Sequence, residues 1–207
     1  MHAVIVSNGF PPTKALLEKE VLIADLLIGA DGGGNRMLDH SIIPHVVIGD
    51  MDSFKKPEQV DFEMIHQPDQ ETNDLEKALS LALQRGAITC YVLGAFGKRM
   101  DHSLKNLSVM KKFNGLFEVL IYRDETFDAF IIEDHFSGEL PVGNIVSLYP
   151  LSGEAKGIKT QGLKYPLKSE SLKNGARDGT SNETIQTEFS IAVEEGDLVL
   201  FLERGKK

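Results

Sequence analysis

The amino-acid sequence predicts an α/β protein: an N-terminal Rossmann-like domain with a parallel sheet over residues 1–124, then an all-β sandwich domain over residues 125–207. Three observations predict it. Short apolar runs in the first half lack polar alternation and stop at glycine- or aspartate-bearing turns, as strands covered on both faces do. Segments with helical apolar spacing lie between them. After about Asp124 that spacing ends, and strand-like runs punctuated by glycine take over.

Each element follows from its residues. Ala3-Val4-Ile5-Val6-Ser7 reads as a buried strand that turns at Asn8-Gly9. Leu26 to Ala30 ends at Asp31-Gly32-Gly33-Gly34, Val46 to Gly49 ends at Asp50, and Ile88 to Leu93 ends at Gly94. Leu75, Ala78, Leu79, Ala82 and Leu83 repeat at helical spacing, with Asn73 or Asp74 as the cap and Gly86 as the stop. Leu104, Leu107 and Met110 mark a second helix after Asp101-His102-Ser103. In the second domain Phe130 to Glu133, Asn144 to Tyr149 and Asp197 to Leu202 are strand-like, and the polar stretch 168–180 is expected to be a mobile loop.

Composition narrows the function. With 207 residues, 42% hydrophobic and 26% charged, the chain can bury a proper core. No apolar run reaches the length of a membrane span, and the start lacks the pattern of a secretion signal. One cysteine, Cys90, excludes an internal disulfide and a cysteine-built zinc site, so a cytoplasmic setting is expected. A net charge of −9, with only the short basic pairs Lys111-Lys112 and Lys206-Lys207, argues against nucleic acid as a partner. The acidic balance suits magnesium, and magnesium brings phosphates.

In an open parallel sheet, ligands bind beyond the carboxyl ends of the strands, where the acidic and glycine-rich motifs fall. In Asp31-Gly32-Gly33-Gly34-Asn35 the glycines let a backbone approach a phosphate closely, although a plain tight turn explains them equally. Asp50 and Asp52 are alternate residues of an expected extended segment, so both face one metal; the bland alternative is a solvated acidic turn. Asp69-Gln70-Glu71-Thr72-Asn73-Asp74 leads into a helix, and capping alone would explain Asp74. In Gly94 to His102, Lys98 and Arg99 can meet phosphate oxygens and Asp101 adds a carboxylate; an N-cap beside a surface basic pair is the alternative. Asp50, Asp52, Asp74 and Asp101 are therefore expected to gather into one acidic site, with Asp50 and Asp52 as its metal pair.

Together these segments resemble the thiamine pyrophosphokinase family. The resemblance rests on Ala30 to Asn35, Gly49 to Ser53, Asp69 to Asp74, Gly97 to His102 with Asn106, and Ser181-Asn182-Glu183, in that order along most of the chain. The chain departs from the family at Asn73, where threonine is frequent, and at Lys98, which replaces the second glycine of a Gly-Gly-Arg segment. Lys98 adds a phosphate contact or alters the loop's path. The chain also lacks the tryptophan on which some members stack thiamine.

The resemblance implies a homodimer with the active site between subunits, transferring the pyrophosphoryl group of ATP to thiamine. Asp50, Asp52 and Asp74 would bind Mg2+. Asp31, Gly32, Gly33, Asn35, Lys98, Arg99, Asp101 and His102 would contact or orient the nucleotide, and Gln70, Ser181 and Asn182 would lie near thiamine. Asp74 or Asp101 would take the hydroxyl proton, and Arg99 would stabilise charge as AMP leaves. Two other readings compete: a glycosyltransferase holding a nucleotide-sugar through Asp50-Met51-Asp52, and a nucleotide sensor without turnover, which the departure at Lys98 keeps open.

Overall fold

The structure, a computed structural model, describes residues 1–59 and 61–205, so the Lys206-Lys207 pair lies outside the described residues. The chain divides into two compact units, Met1–Glu125 and Thr126–Lys207.

The first unit is mixed α/β. Its elements are β1 (His2–Val6), α1 (Lys14–Val21), β2 (Leu26–Ala30), α2 (Gly33–Asp39), β3 (Val46–Gly49), β4 (Glu63–His66), α3 (Asp74–Gln84), β5 (Thr89–Leu93), α4 (Met100–Phe113) and β6 (Val119–Arg123). The strands pair in parallel in the order β6-β5-β1-β2-β3-β4, with Val4 opposite both Leu27 and Tyr91. β2 and β3 are buried along their whole length, as their unbroken apolar runs require. Val4, Val6, Leu16, Leu17, Leu27, Met37 and Leu93 form one core cluster with α1 and α2. α1 is capped by Thr13, whose side chain accepts from the Leu16 N–H, and α3 by Asn73, whose side chain accepts from the Glu76 N–H at 2.9 Å.

Two strands escape the apolar-run reading. β4 is the edge strand and has no fully buried residue, so its sequence Glu63-Met64-Ile65-His66 carries no apolar run. β6 does carry an apolar run, Val119 to Tyr122, of which Leu120 and Tyr122 are buried, and it was not among the expected strands. α2 opens on glycines, poor helix formers, because the helix start must pass close to β1: a Cβ on Gly33 would lie 1.8 Å from the Val6 carbonyl oxygen. The chain builds outward from β1 to β4 and then returns to β5 on the other side of β1. In open sheets of this kind ligands bind at such a reversal, which here falls at the carboxyl ends of β1 and β5.

The second unit is all-β among the described residues. It contains β7 (Phe127–Ile132), β8 (His135–Glu139), β9 (Ile145–Pro150), β10 (Glu154–Gln161), β11 (Lys168–Lys173), β12 (Gly179–Glu183), β13 (Glu188–Ala192) and β14 (Leu198–Glu203). They pair antiparallel, in the orders β12-β9-β14-β7 and β11-β10-β13-β8. Val146, Leu148, Ile158, Leu172, Phe189, Ile191, Leu198 and Leu200 share one core drawn from both sets of strands. The expected mobile loop over 168–180 is corrected here: Lys168–Lys173 form β11, paired to β10, and β12 begins at Gly179. The stretch looks polar because Leu172 is the only residue of β11 that buries. Among the described residues no helix is long and apolar enough to cross a membrane.

Leu148 is fully buried at the centre of β9, between the facing strands of this core. Leu148→Ala is expected to lower unfolding free energy by about 2–5 kcal/mol, read as a lower urea midpoint at unchanged slope.

Candidate active site

The carboxyl ends of β2 and β3 and the start of α3 bring Asp31, Asp50 and Asp74 together. Each offers an oxygen within 4.8 Å of the others. Gly49 makes room for this approach, since a Cβ there would lie 2.7 Å from the Asp31 Cβ and 2.9 Å from Asp74 Oδ1. Because Asn73 caps α3, Asp74 keeps its carboxylate for the cluster. Burial raises the Asp74 pKa, and the Asp50 charge adds to this while Lys77 opposes it. The Asp31 pKa is likewise raised by burial, partly offset by the Gly32 N–H and reinforced by the charges of Asp74, Asp52 and Asp50. Asp50 is lowered instead, chiefly by the Asp52 N–H, with a further contribution from the Gln70 side chain.

Lys77 is a site residue that the sequence reading missed. Its side chain is 4% exposed; Nζ donates to the Gln67 carbonyl at 2.9 Å and stands 3.5 Å from Asp74 Oδ1. The signal was its place one helical turn after Asp74. Beside it a cleft of about 360 Å³ is lined by His66, Gln67, Pro68, Asp69, Thr72 and Lys77. Gln70 reaches the cluster directly, donating to Asp50 Oδ2 at 3.3 Å.

Asp52, expected to face the metal beside Asp50, stands outside the close group of carboxylates. Residues 51–53 form a bend with Met51 at φ 64°, so the alternation of an extended strand does not apply. Its N–H donates to Asp50 Oδ1 at 3.2 Å, and its carboxylate accepts from Ser53 Oγ at 2.8 Å. Asp31, which the sequence reading assigned to the nucleotide, is the third member of the close group.

The Asp31-to-Asn35 motif is largely occupied in building this loop. Asp31 accepts from the N–H groups of Ser53 and Phe54, at 3.2 and 3.1 Å. Asn35 donates to the Ser53 carbonyl at 2.8 Å and accepts from the Lys55 N–H at 2.9 Å. Where Gly32 and Gly33 lack a side chain, the space holds the Asn8 side chain and the end of β1. The close approach that the sequence reading gave to a phosphate is therefore made by the protein itself.

A second loop system follows β5. Ser7, Gly9 and Phe10 donate their N–H groups to the carbonyls of Leu93, Gly94 and Phe96, each at 2.8 Å, prolonging the β1–β5 pairing past the strand ends. Lys98 sits at φ 54°, a region that favours glycine, and its Nζ donates to the carbonyl and side-chain oxygens of Asn8 at 2.8 and 3.0 Å. Those two bonds tie the loops together at the position where the family carries glycine.

Asp101 stands outside the close carboxylate group and pairs with Arg99, whose Nε donates to Oδ1 at 3.1 Å. Both side chains are exposed. Hydrogen bonding to Arg99 is the main cause of an Asp101 pKa held down to about 2. The expected single site of four aspartates is thus corrected: of the four only Asp50 and Asp74 belong to the close group, which Asp31 completes, while Asp52 lies on the adjoining bend and Asp101 is paired with its own neighbour Arg99. His102 is exposed on the first turn of α4. Asn106 is buried, donating to the Ala95 carbonyl at 2.6 Å and accepting from the Asn73 side chain at 2.9 Å, so it links the loop to the cap of α3.

In the second unit, Ser181 is exposed at φ 59° and donates its N–H to Ser147 Oγ at 2.9 Å. Asn182 is buried and holds Tyr165 through both ends of its amide, accepting from the Tyr165 N–H at 3.0 Å and donating to its carbonyl at 2.8 Å.

Two family models match the chain: the catalytic domain of thiamin pyrophosphokinase over residues 17–120, and the vitamin B1 binding domain of thiamin pyrophosphokinase over residues 135–198. A thiamine pyrophosphokinase of rice, Oryza sativa, is 28% identical, covering 96% of this chain and 85% of its own length. That of Bacillus subtilis is 27% identical, covering 84% and 86%. Among solved structures, the Bacillus subtilis thiamine pyrophosphokinase superposes with a TM-score of 0.84 at 23% identity over 100% of both chains. The Candida albicans enzyme gives 0.86 at 18% identity over 99% of this chain and 89% of its own. At these identities the structural matches establish the fold.

The Arg99–Asp101 pair has a measurable consequence. A pH titration of carboxyl chemical shifts is expected to place Asp101 at about 2, and Arg99→Gln to return it towards about 3.9. Since the folded pKa is the lower one, any stability from the pair is present above about 3.9 and lost as pH falls towards 2. An Asp101 midpoint unmoved by Arg99→Gln would contradict this cause.

Proposed function

The chain belongs to the thiamine pyrophosphokinase family, and within it we propose that Asp50, Asp52 and Asp74 hold a magnesium ion against the phosphates of ATP. The chain transfers the pyrophosphoryl group of ATP to the hydroxyl of thiamine, giving thiamine diphosphate and AMP. The observation that carries the metal proposal is the approach of Asp31, Asp50 and Asp74 to within 4.8 Å. Carboxylates that close repel one another unless a cation lies among them, and hard oxygen ligands on loops suit magnesium. Asp31 belongs to this close group as well, its carboxylate also accepting from the N–H groups of Ser53 and Phe54. Asp52 adjoins them through its N–H bond to Asp50. When bound, magnesium supplies neutralising charge and a template for the triphosphate.

The remaining roles belong to the protein's own groups. The hydroxyl oxygen of thiamine attacks the β-phosphorus while the bond from that phosphorus to the α-phosphate oxygen breaks and AMP departs. Positioning and electrostatics supply most of the acceleration in such a transfer. Lys98 and Arg99 carry positive charge on the loop after β5, where Arg99 stabilises the departing phosphate, and Asp31, Gly32, Gly33 and Asn35 orient the nucleotide by fixing the loop after β3. His102, on the first turn of α4, contacts the nucleotide. Gln70, bonded to Asp50, contacts thiamine, as do Ser181 and Asn182. Asp74 and Asp101 are the two candidate acceptors of the hydroxyl proton.

The same reading carries Rossmann-like and sandwich as the finer names of the two units, supported by the strand reversal beside β1 and by the core common to both β sets. It carries a homodimer, supported by the family resemblance, and a cytoplasmic setting, supported by the single buried cysteine.

Incubation with ATP, magnesium and thiamine is expected to yield AMP and thiamine diphosphate. A well-folded sample giving neither product would overturn the catalytic reading in favour of a sensor. Asp50→Asn and Asp52→Asn are each expected to lower kcat by about 100-fold or more with the circular dichroism spectrum unchanged. Magnesium is expected to raise the melting temperature of the parent protein and to lose that effect in Asp50→Asn and Asp74→Asn. A monomeric mass at assay concentration would count against the dimer.

A further inference from the structure

Phe10 is a bulky apolar side chain that the mechanism above does not use. It lies just past β1, 69% exposed, at the strand ends where the strand order reverses. Its backbone is held at several points. The Phe10 N–H donates to the Phe96 carbonyl at 2.8 Å, the Gly9 N–H donates to Gly94, and Lys98 holds Asn8. The ring rests on Gly97, where a Cβ would come within 1.9 Å of Cδ2 and 2.4 Å of Cε2. Gly97 is therefore the residue whose missing side chain lets the ring lie there. Pro11-Pro12 follow and stiffen the chain on the far side.

A phenyl ring left in water gains little from folding, and a lone exposed one needs no explanation. This one differs because its edge is seated on backbone, its loop is pinned at several points, and most of its surface remains open. Such a ring is a preorganised stacking surface for a flat aromatic group. It is carried by the same loop pair that presents Lys98 and Arg99. A ligand with phosphates at those cations and a flat base at the ring matches an adenine nucleotide. We propose that Phe10, seated on Gly97 at the carboxyl ends of β1 and β5, is the stacking surface for the adenine base of ATP. This rests on the reading of those strand ends as the nucleotide site.

The chain has no tryptophan, so Phe10→Trp installs a single fluorophore while keeping an aromatic face. Titration with AMP or a non-hydrolysable ATP analogue is expected to quench its emission saturably, whereas inorganic triphosphate and thiamine leave it unchanged. Phe10→Ala is expected to raise KM for ATP about tenfold while leaving kcat and KM for thiamine within about twofold. In calorimetry the same variant should weaken the ATP analogue and spare inorganic triphosphate. Quenching by thiamine alone, no quenching by a nucleotide that calorimetry shows to bind, or an unchanged KM for ATP in Phe10→Ala would each overturn the proposal. The binding titrations need no turnover. A protein without activity whose Phe10→Trp emission still answers to adenine nucleotides would keep the stacking surface and lose only the catalytic reading; absence of nucleotide binding altogether would remove both.

Discussion

The carboxylate of Asp31, buried at the end of β2, accepts the backbone N–H groups of Ser53 and Phe54 and so fixes the loop that carries Asp50 and Asp52. Much of the site depends on that clamp. Asn35 completes it from the first turn of α2, and α2 can start so close only because Gly33 lies against the Val6 carbonyl. The clamp draws Asp31 itself into the acidic group, where burial and like charge disfavour ionisation. Lys77, folded under α3, opposes that effect at Asp74. The unit thus concentrates negative charge in one place, which its scaffold supports and a divalent cation would relieve.

A second set of contacts ties the loop after β5 to the same scaffold. Asn73 caps α3 and donates to Asn106, which in turn donates to the Ala95 carbonyl. The helix that presents Asp74 and the loop that presents Lys98 and Arg99 therefore share one buried amide chain. Lys98 adds a further link to Asn8 from a backbone region that favours glycine. Its two hydrogen bonds offset the conformational strain, and they give the loop a defined course where the family's glycine would leave it freer.

Much of this was legible in the sequence because it depends on local chemistry. The buried strands β1, β2, β3 and β5 show as apolar runs, and α3 shows in the spacing of Leu75, Ala78, Leu79 and Ala82. What escaped has a common physical reason. β4 and β11 bury almost nothing and are held by backbone ladders to neighbours, for which side-chain patterning carries no signal. Lys77 looked like an ordinary helix-surface charge because its burial against Gln67 depends on a loop elsewhere in the chain.

The sequence by itself determined the family: aspartates, glycines and cations placed after strands stand in an order specific enough to indicate it. Only the tertiary structure decided how they are shared out. It set Asp31 beside Asp50 and Asp74, turned Asp52 through a bend at Met51, gave Asp101 to Arg99, and filled the space beside Gly32 and Gly33 with the protein's own atoms. The reason is that spacing along a chain specifies direction only while the backbone is regular. At strand ends the backbone turns, and the partners that position each carboxylate come from distant segments.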